Sequence, residues 1–291
     1  MRFLVTSDWH LRSTVPSCVE ATQEEWMDIQ RKAVEAVVDI AVKSKVDCVL
    51  LGGDLYHTEQ TASNEVIQIS QDVPIELNEH GIKFYVLCGN HDLIGHSSEL
   101  LYRSSIGIFL KSSYVNDMND CPYCKGCNFD KEDYDGHKII FKHTLTIPKE
   151  EIPYGVTCET PQSLLERYKD CVWVFTGDYH KNFHYEENGR HVVNSGCLTC
   201  QASDFEDYVT GVYVVDTELD TAAFWPVHIP QKFNHNGKEK KELDKEIEAF
   251  VEGIKKDDIT LDYVSSLKKE ALNHDKEIQS KINTWIEESG N

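Results

Sequence analysis

The run Cys48-Val-Leu-Leu51 is apolar without alternation and stops at Gly52-Gly53-Asp54. A strand with no polar face is buried on both sides, as in a parallel sheet covered by helices. In open sheets of that kind, ligands bind just beyond the carboxyl ends of the strands. Asp54 stands at such an end. Three other predicted strand ends carry the same kind of residue: Ser7-Asp8-Trp9-His10, Gly89-Asn90-His91-Asp92 and Gly177-Asp178-Tyr179-His180. Each pairs a short oxygen ligand with a nearby imidazole. Hard oxygen with borderline nitrogen suits Mn²⁺, Fe²⁺ or Zn²⁺. One Asp-x-His is an ordinary surface loop. Four such groups, each after an apolar strand, point to metal binding.

At 291 residues the chain suits one large domain or two smaller ones. Its formal charge of −21 argues against a protein that alone grips DNA along a basic face. No apolar run approaches the length of a membrane span. The N-terminal apolar run is too short for a signal peptide and enters a metal motif directly. A cytoplasmic protein is therefore expected. Its ten cysteines then read as reduced thiols or metal ligands.

In chain order, residues 2–7 are expected to form a strand that delivers Asp8 and His10. Arg12 reads as a solvated loop residue that could meet a phosphate. Residues 19–44 show helical spacing of Ile29, Ala33, Val37 and Ile40, a core face. Residues 64–80 look helical, with Pro74 expected to kink or split them. A strand over 82–88 leads to Asn90, a neutral carbonyl ligand. His96 reads as a surface residue. Residues 98–110 suggest a short helix.

Residues 116–136 read as a polar insertion carrying Cys121-Pro-Tyr-Cys124-Lys-Gly-Cys127. A zinc knuckle, a glutaredoxin-like pair and three unligated thiols compete. Structural zinc is the expectation, with His137, Cys158 or a thiol of Cys197-Leu-Thr-Cys200 as fourth ligand. A strand over 137–142 ends at His143, a helix spans 160–169, and a strand over 171–176 leads to Asp178. Residues 182–194 look like a hairpin with Asn188-Gly189 as a type I′ turn. Residues 211–216 and 222–228 are expected to close the second sheet. Beyond a polar linker, residues 240–256 and 262–288 read as two charged amphipathic helices.

The order Asp-x-His, Gly-Asp, Gly-Asn-His-Asp, His, Gly-x-x-His resembles the calcineurin-like metallophosphoesterases over residues 1–230. Gly53-Asp54-Leu55-Tyr56-His57 resembles the branch that supplies the nuclease subunit of SbcC–SbcD-like complexes, phage versions included. The resemblance implies a four-layer α/β/β/α sandwich over residues 1–233 with a C-terminal helical tail, residues 237–291. It implies two divalent ions, Mn²⁺ foremost, with Mg²⁺, Fe²⁺ or Zn²⁺ as substitutes. One would be held by Asp8, His10, Asp54 and His180, the other by Asp54, Asn90, His143 and Asp178. His91 would be the catalytic imidazole, oriented by Asp92, with His57 beside it on the substrate phosphate.

Asp178 departs from the family's usual Gly-His-x-His, and Lys142 and Thr144 flank His143 atypically. The expected partners are DNA, an SbcC-like coiled-coil ATPase docked on the tail, and a second copy of the chain. The expected roles are DNA replication, recombination and repair. The alternatives are a stand-alone phosphodiesterase or phosphatase for a small molecule, and a zinc-containing assembly module with a degenerate site. A serine/threonine protein phosphatase is excluded, because Gly-Asp-x-x-Asp-Arg-Gly is absent.

Overall fold

The computed structural model describes residues 1–58, 62–127, 134, 136–202, 205–206 and 208–234. The apolar runs are strands: β1 (Arg2–Thr6), β2 (Cys48–Leu51), β3 (Lys83–Val86) and the short β4 (Val115–Asp117) lie parallel in that order. A second sheet holds β5 (Lys125–Cys127), β6 (Ile139–His143), β7 (Trp173–Gly177) and β9 (Arg190–Asn194) in parallel. The antiparallel β8 (Phe183–Glu187) closes its edge. Asn188 (φ 54°) and Gly189 (φ 70°) are both left-handed, as the hairpin turn between β8 and β9 requires.

Alternation divides each strand between two cores. Phe3, Val5, Cys48 and Leu50 face Phe141, Phe175 and Val193 between the sheets. Their neighbours Leu4, Val49 and Leu51 face outward onto α1 (Gln23–Ser44) and α2 (Asn64–Glu79). On the far side, Ile140, Val174 and Val192 pack against Leu164, Leu165 and Tyr168 of the α4 (Pro161–Arg167) region. The result is the expected α/β/β/α sandwich. Each fully buried Leu or Phe is worth about 1.5–3 kcal/mol.

The helices begin where their chemistry allows. Thr22 and Glu25 form a reciprocal capping box at the start of α1, at 3.2 and 2.7 Å. α2 runs unbroken through Pro74, contrary to the expected kink. The ring is buried with Val73 and Leu77, so apolar packing offsets the missing hydrogen bond. The helix expected over 98–110 is two pieces. Ser104 is extended and caps α3 (Ser105–Phe109), which separates it from a 3₁₀ turn over Ser98–Arg103.

One expectation about layout is corrected. β10 (Gly211–Asp216) and β11 (Thr221–Pro226) do not close the second sheet; β10 pairs antiparallel with β1. The first sheet grows from β1 through β2 to β3, so the other side of β1 is open to receive it. The cysteine-bearing stretch is more than a polar loop. It carries the edge strands β4 and β5 and crosses from one sheet to the other.

That crossing separates the thiols expected to hold structural zinc. Cys121 and Cys124 are buried between the sheets beside Cys48, whereas Cys127 lies in the core under α4 with Cys171. Cys197 and Cys200 belong to a further cluster around Phe205. Cys121 shares a thiol hydrogen bond with Cys48, which holds Cys121 down at about 7 and pushes Cys48 up. Among the described residues, no group of three or more candidate metal ligands contains a cysteine.

Met1–Phe233 form one compact unit. The linker and the two amphipathic helices expected after residue 234 lie outside the described residues. No helix among the described residues is long and apolar enough to cross a membrane.

Phe175 is fully buried and meets Phe141 and Phe3 edge-on at 5.7 and 6.5 Å. Phe175→Ala should cost about 3–5 kcal/mol in urea denaturation. Thr22→Ala, which removes one cap, should cost about 1 kcal/mol. Equal losses would show that the inter-sheet core is not the main source of stability.

Candidate metal centre

All the strands that carry the motifs run parallel within their sheets, so their carboxyl ends share one edge of the sandwich. The loops beyond them are laced together. Asp8 N–H donates to the Gly53 carbonyl at 3.0 Å, His10 to Asp54 at 2.9 Å and Leu11 to Leu55 at 2.9 Å. The chain turns sharply to aim its side chains. Asp8 (φ 55°), His10 (φ 45°), Asp54 (φ 53°) and Asp178 (φ 80°) all adopt the left-handed conformation. For a residue with a Cβ this costs of order 1–3 kcal/mol. A Cβ on Gly89 would collide with the Asp54 carboxylate, so only glycine lets the β3 loop pass that close.

Asp54 sits at the middle of the cluster. Its Oδ1 accepts the His91 backbone N–H at 2.9 Å. Its Oδ2 is buried without a hydrogen bond, 3.4 Å from His143 Nε2 and 3.5 Å from His10 Nε2. On one side, ligand atoms of Asp8, His10 and His180 lie within 4.8 Å of one another, with His10 Nε2 3.0 Å from His180 Nε2. On the other, Asp8, Asp54 and His143 form a second such group. His143 Nε2 is also 2.8 Å from Asn90 Oδ1. The Nδ1–H of His143 donates to the Gly52 carbonyl at 2.7 Å. That bond turns Nε2 toward the cluster, the usual way a second partner orients a metal-ligating histidine.

The electrostatics demand cations. Burial raises the Asp8 carboxyl, and nearby Asp54 adds to it against the pull of His143 and His180. Against its own burial, the His143 imidazole holds Asp54 well below the usual carboxylate range. Burial pushes His10 well down, so it is neutral, the form that ligates. Burial also works against charge on His143, yet Asp54, Asp8 and Asp178 hold it up at about 10. The pocket thus draws positive charge to the nitrogen that faces Asp54. The orphaned Asp54 Oδ2 and His10 Nδ1 and the mixed oxygen–nitrogen donor set fit a pair of divalent ions.

The other expected site residues divide. His57 and His91 stack at 5.7 Å beside His10, and ring nitrogens of all three lie within 4.8 Å of one another. His91 is exposed and its Nδ1–H donates to the His57 carbonyl at 3.2 Å. Asp92 does not orient His91, as expected of it. Its buried carboxylate accepts the backbone N–H groups of Leu55, Tyr56 and Gly89 at 3.3, 3.0 and 3.0 Å. It splices the β2 and β3 loops, and burial and Asp54 push it up to about 7. Asp178 gives its backbone N–H to Asp8 Oδ1 at 3.0 Å, and its carboxylate stands outside both three-ligand groups.

Several supporting residues have no motif of their own. Ser7 donates to Asp8, Gln201 holds the Trp9 and His10 carbonyls, and Asn194 holds those of Tyr179 and Lys181. Arg12, read as a solvated loop residue, instead reaches His57.

The family model described as calcineurin-like phosphoesterase matches residues 1–195. A protein of Thermus thermophilus, TT1561, is similar at 14% identity and a TM-score of 0.44, covering 78% of this chain and 99% of that one. A dimetal phosphatase from Danio rerio is similar at 10% identity and a TM-score of 0.45, covering 74% and 91%. An archaeal phosphodiesterase is similar at 14% identity and a TM-score of 0.40, covering 78% and 100%. Such distant likenesses add nothing to the family match.

Gly89→Ala should displace the Asp54 carboxylate and weaken metal binding by about 10–100-fold, the typical worth of a residue that supports a ligand. Asp54→Ala should abolish pairing and leave at most one ion. Titration calorimetry with Mn²⁺ measures both. Two sites of undiminished affinity in Asp54→Ala would show that this carboxylate does not join them.

Proposed function

Because the chain belongs to the calcineurin-like phosphoesterase family, and so is a metal-dependent hydrolase of ester bonds, we propose that it is a DNA nuclease. In this reading it is the SbcD-like subunit of a recombination and repair complex, working with an SMC-like coiled-coil ATPase. The observation that carries the chemistry is the unpartnered Asp54 Oδ2 between His10 and His143. Asp8, His10, Asp54 and His180 would hold one ion, and Asp54, Asn90 and His143 the other, with Mn²⁺ as the proposed metal. Asp178 would add charge beside them. Such ions supply Lewis acidity, polarising phosphoryl oxygens and making water a nucleophile at neutral pH.

The chain's own groups do the rest. His91 commits Nδ1–H to the His57 carbonyl, which leaves Nε2 to hold a proton for the leaving oxygen. His57, stacked on His91, is placed to contact the same phosphate. Asp92 keeps the two loops that carry these rings at a fixed spacing. The strained turns at Asp8, His10 and Asp54 aim the ligands before substrate arrives.

The run Gly53-Asp54-Leu55-Tyr56-His57 supports the nuclease branch. The net charge of −21 supports a second reading, a stand-alone diesterase for a small molecule. In the nuclease reading, a partner provides the basic surface and residues 237–291 dock it.

An assay in Mn²⁺ separates the readings. The full chain, with and without its ATPase, is given single- and double-stranded oligonucleotides and bis-p-nitrophenyl phosphate. Cleavage of DNA is expected. Turnover of the small diester with intact DNA in every mixture would establish the second reading. His91→Ala should keep its metal and lose about 10²–10⁴-fold in turnover. Loss of metal along with activity would make His91 a ligand.

A further inference from the structure

Among the described residues, no carboxylate answers the charge of Arg12. Its backbone is clamped to α1: its N–H donates to Gln30 Oε1 at 2.9 Å, and its carbonyl accepts from Gln30 Nε2 at 2.8 Å and Trp26 Nε1 at 3.0 Å. The guanidinium is thereby placed beside the metal centre. Its Nε donates to the Thr14 carbonyl at 2.9 Å and its Nη1 to His57 Nε2 at 2.6 Å. Among the described residues, neither bond goes to a carboxylate. The side chain is partly buried.

A donor to His57 need not be charged; an amide would serve. A half-buried charge without an opposite one is costly. A guanidinium also has five N–H donors in a planar fork that matches phosphate oxygens, and the two bonds leave three of them. His57 accepts from Arg12 at Nε2, so its proton sits on Nδ1, and it is neutral. It cannot be the counter-charge.

Position decides which anion. The His57 ring lies 5.6 Å from that of His10 and 5.7 Å from that of His91. Arg12 is therefore one imidazole removed from the metal-binding histidine. The phosphate at the centre already has the ligand cluster, His57 and His91. We propose that Arg12 forms a second anion subsite, which takes the phosphate neighbouring the reacting one, so that the site selects phosphodiesters within a nucleotide chain. This rests on the phosphoester-hydrolase reading of the centre and names its substrate class.

The test is equilibrium binding to the full chain in Ca²⁺. Calorimetry compares thymidine 3′,5′-bisphosphate with thymidine 5′-monophosphate. Wild type should prefer the bisphosphate by about 10–100-fold, the worth of hydrogen bonds to a charged group. Arg12→Ala should lose most of that preference. Arg12→Gln keeps an N–H for His57 without the charge, and should behave like Arg12→Ala. Arg12→Lys should retain part of the preference. A preference fully restored by Arg12→Gln would make Arg12 a brace for His57 and overturn the subsite. So would a wild type indifferent to the second phosphate, or equal preference in all four proteins. Hydrolysis of bis-p-nitrophenyl phosphate in Mn²⁺ is read separately. Its absence from wild type would sink the hydrolase reading, while the binding preference still decides Arg12.

Discussion

Two carboxylates, Asp8 and Asp54, are fully buried at one edge of the sandwich, and no lysine or arginine pairs with either among the described residues. Burying an ion costs several kcal/mol unless an opposite charge answers it. Here only imidazoles do. His10 is pushed well down by its own desolvation. His143 is held up at about 10 by the carboxylates around it. Imidazole alone is a poor balance for this much buried negative charge. Divalent cations would restore it, and the buried Asp54 Oδ2, which has no hydrogen-bond partner, would help to hold them.

The fold stores energy to keep that arrangement. The parallel strands of the two sheets bring five ends to one edge, but straight strand ends would point their side chains apart. The left-handed turns at Asp8, His10, Asp54 and Asp178 redirect them. Each such turn is unfavourable alone. Each is over-determined by neighbours: the Asp8 and His10 amides are tied to the loop after β2, and the Asp178 amide is tied to Asp8. Asp92 does the same for the β2 and β3 loops through three backbone bonds. The large inter-sheet core supplies the stability that offsets this strain.

What could be read from the sequence follows from what is local. Apolar runs ending in Gly-Asp or Gly-Asn predicted the strands and the residues at their ends, because burial on both faces and sharp turns leave marks in adjacent residues. Pairings between distant segments left no such mark. The place of β10 beside β1 depends on which edge of the first sheet stays open. The Cys121-Pro-Tyr-Cys124 motif looked like a metal knuckle, but its thiols face a core that only the crossing between sheets creates. Asp92 lies next to His91 in the chain and turns away from its ring in space. Arg12 was read as a solvated loop residue because the sequence cannot show that His57, forty-five positions away, is its neighbour.

The acidity of the chain bears differently on turnover and on grip. Charges on a solvated surface are screened over about 8–10 Å at physiological salt. The distant acidic residues behind the −21 total therefore scarcely reach a phosphate held at the metal centre. There the field is set by the ions, His57, His91 and the guanidinium of Arg12. Affinity for a long polyanion is another matter, because it accumulates over many phosphates neutralised by lysine and arginine. An anion subsite at Arg12 adds one such contact. On the proposed nuclease reading, a chain built this way would turn over a phosphodiester already delivered to it and would need a basic partner to carry the strand. Selection by one neighbouring phosphate is consistent with the proposed division of labour, in which the centre would recognise a nucleotide chain locally and a partner would supply residence.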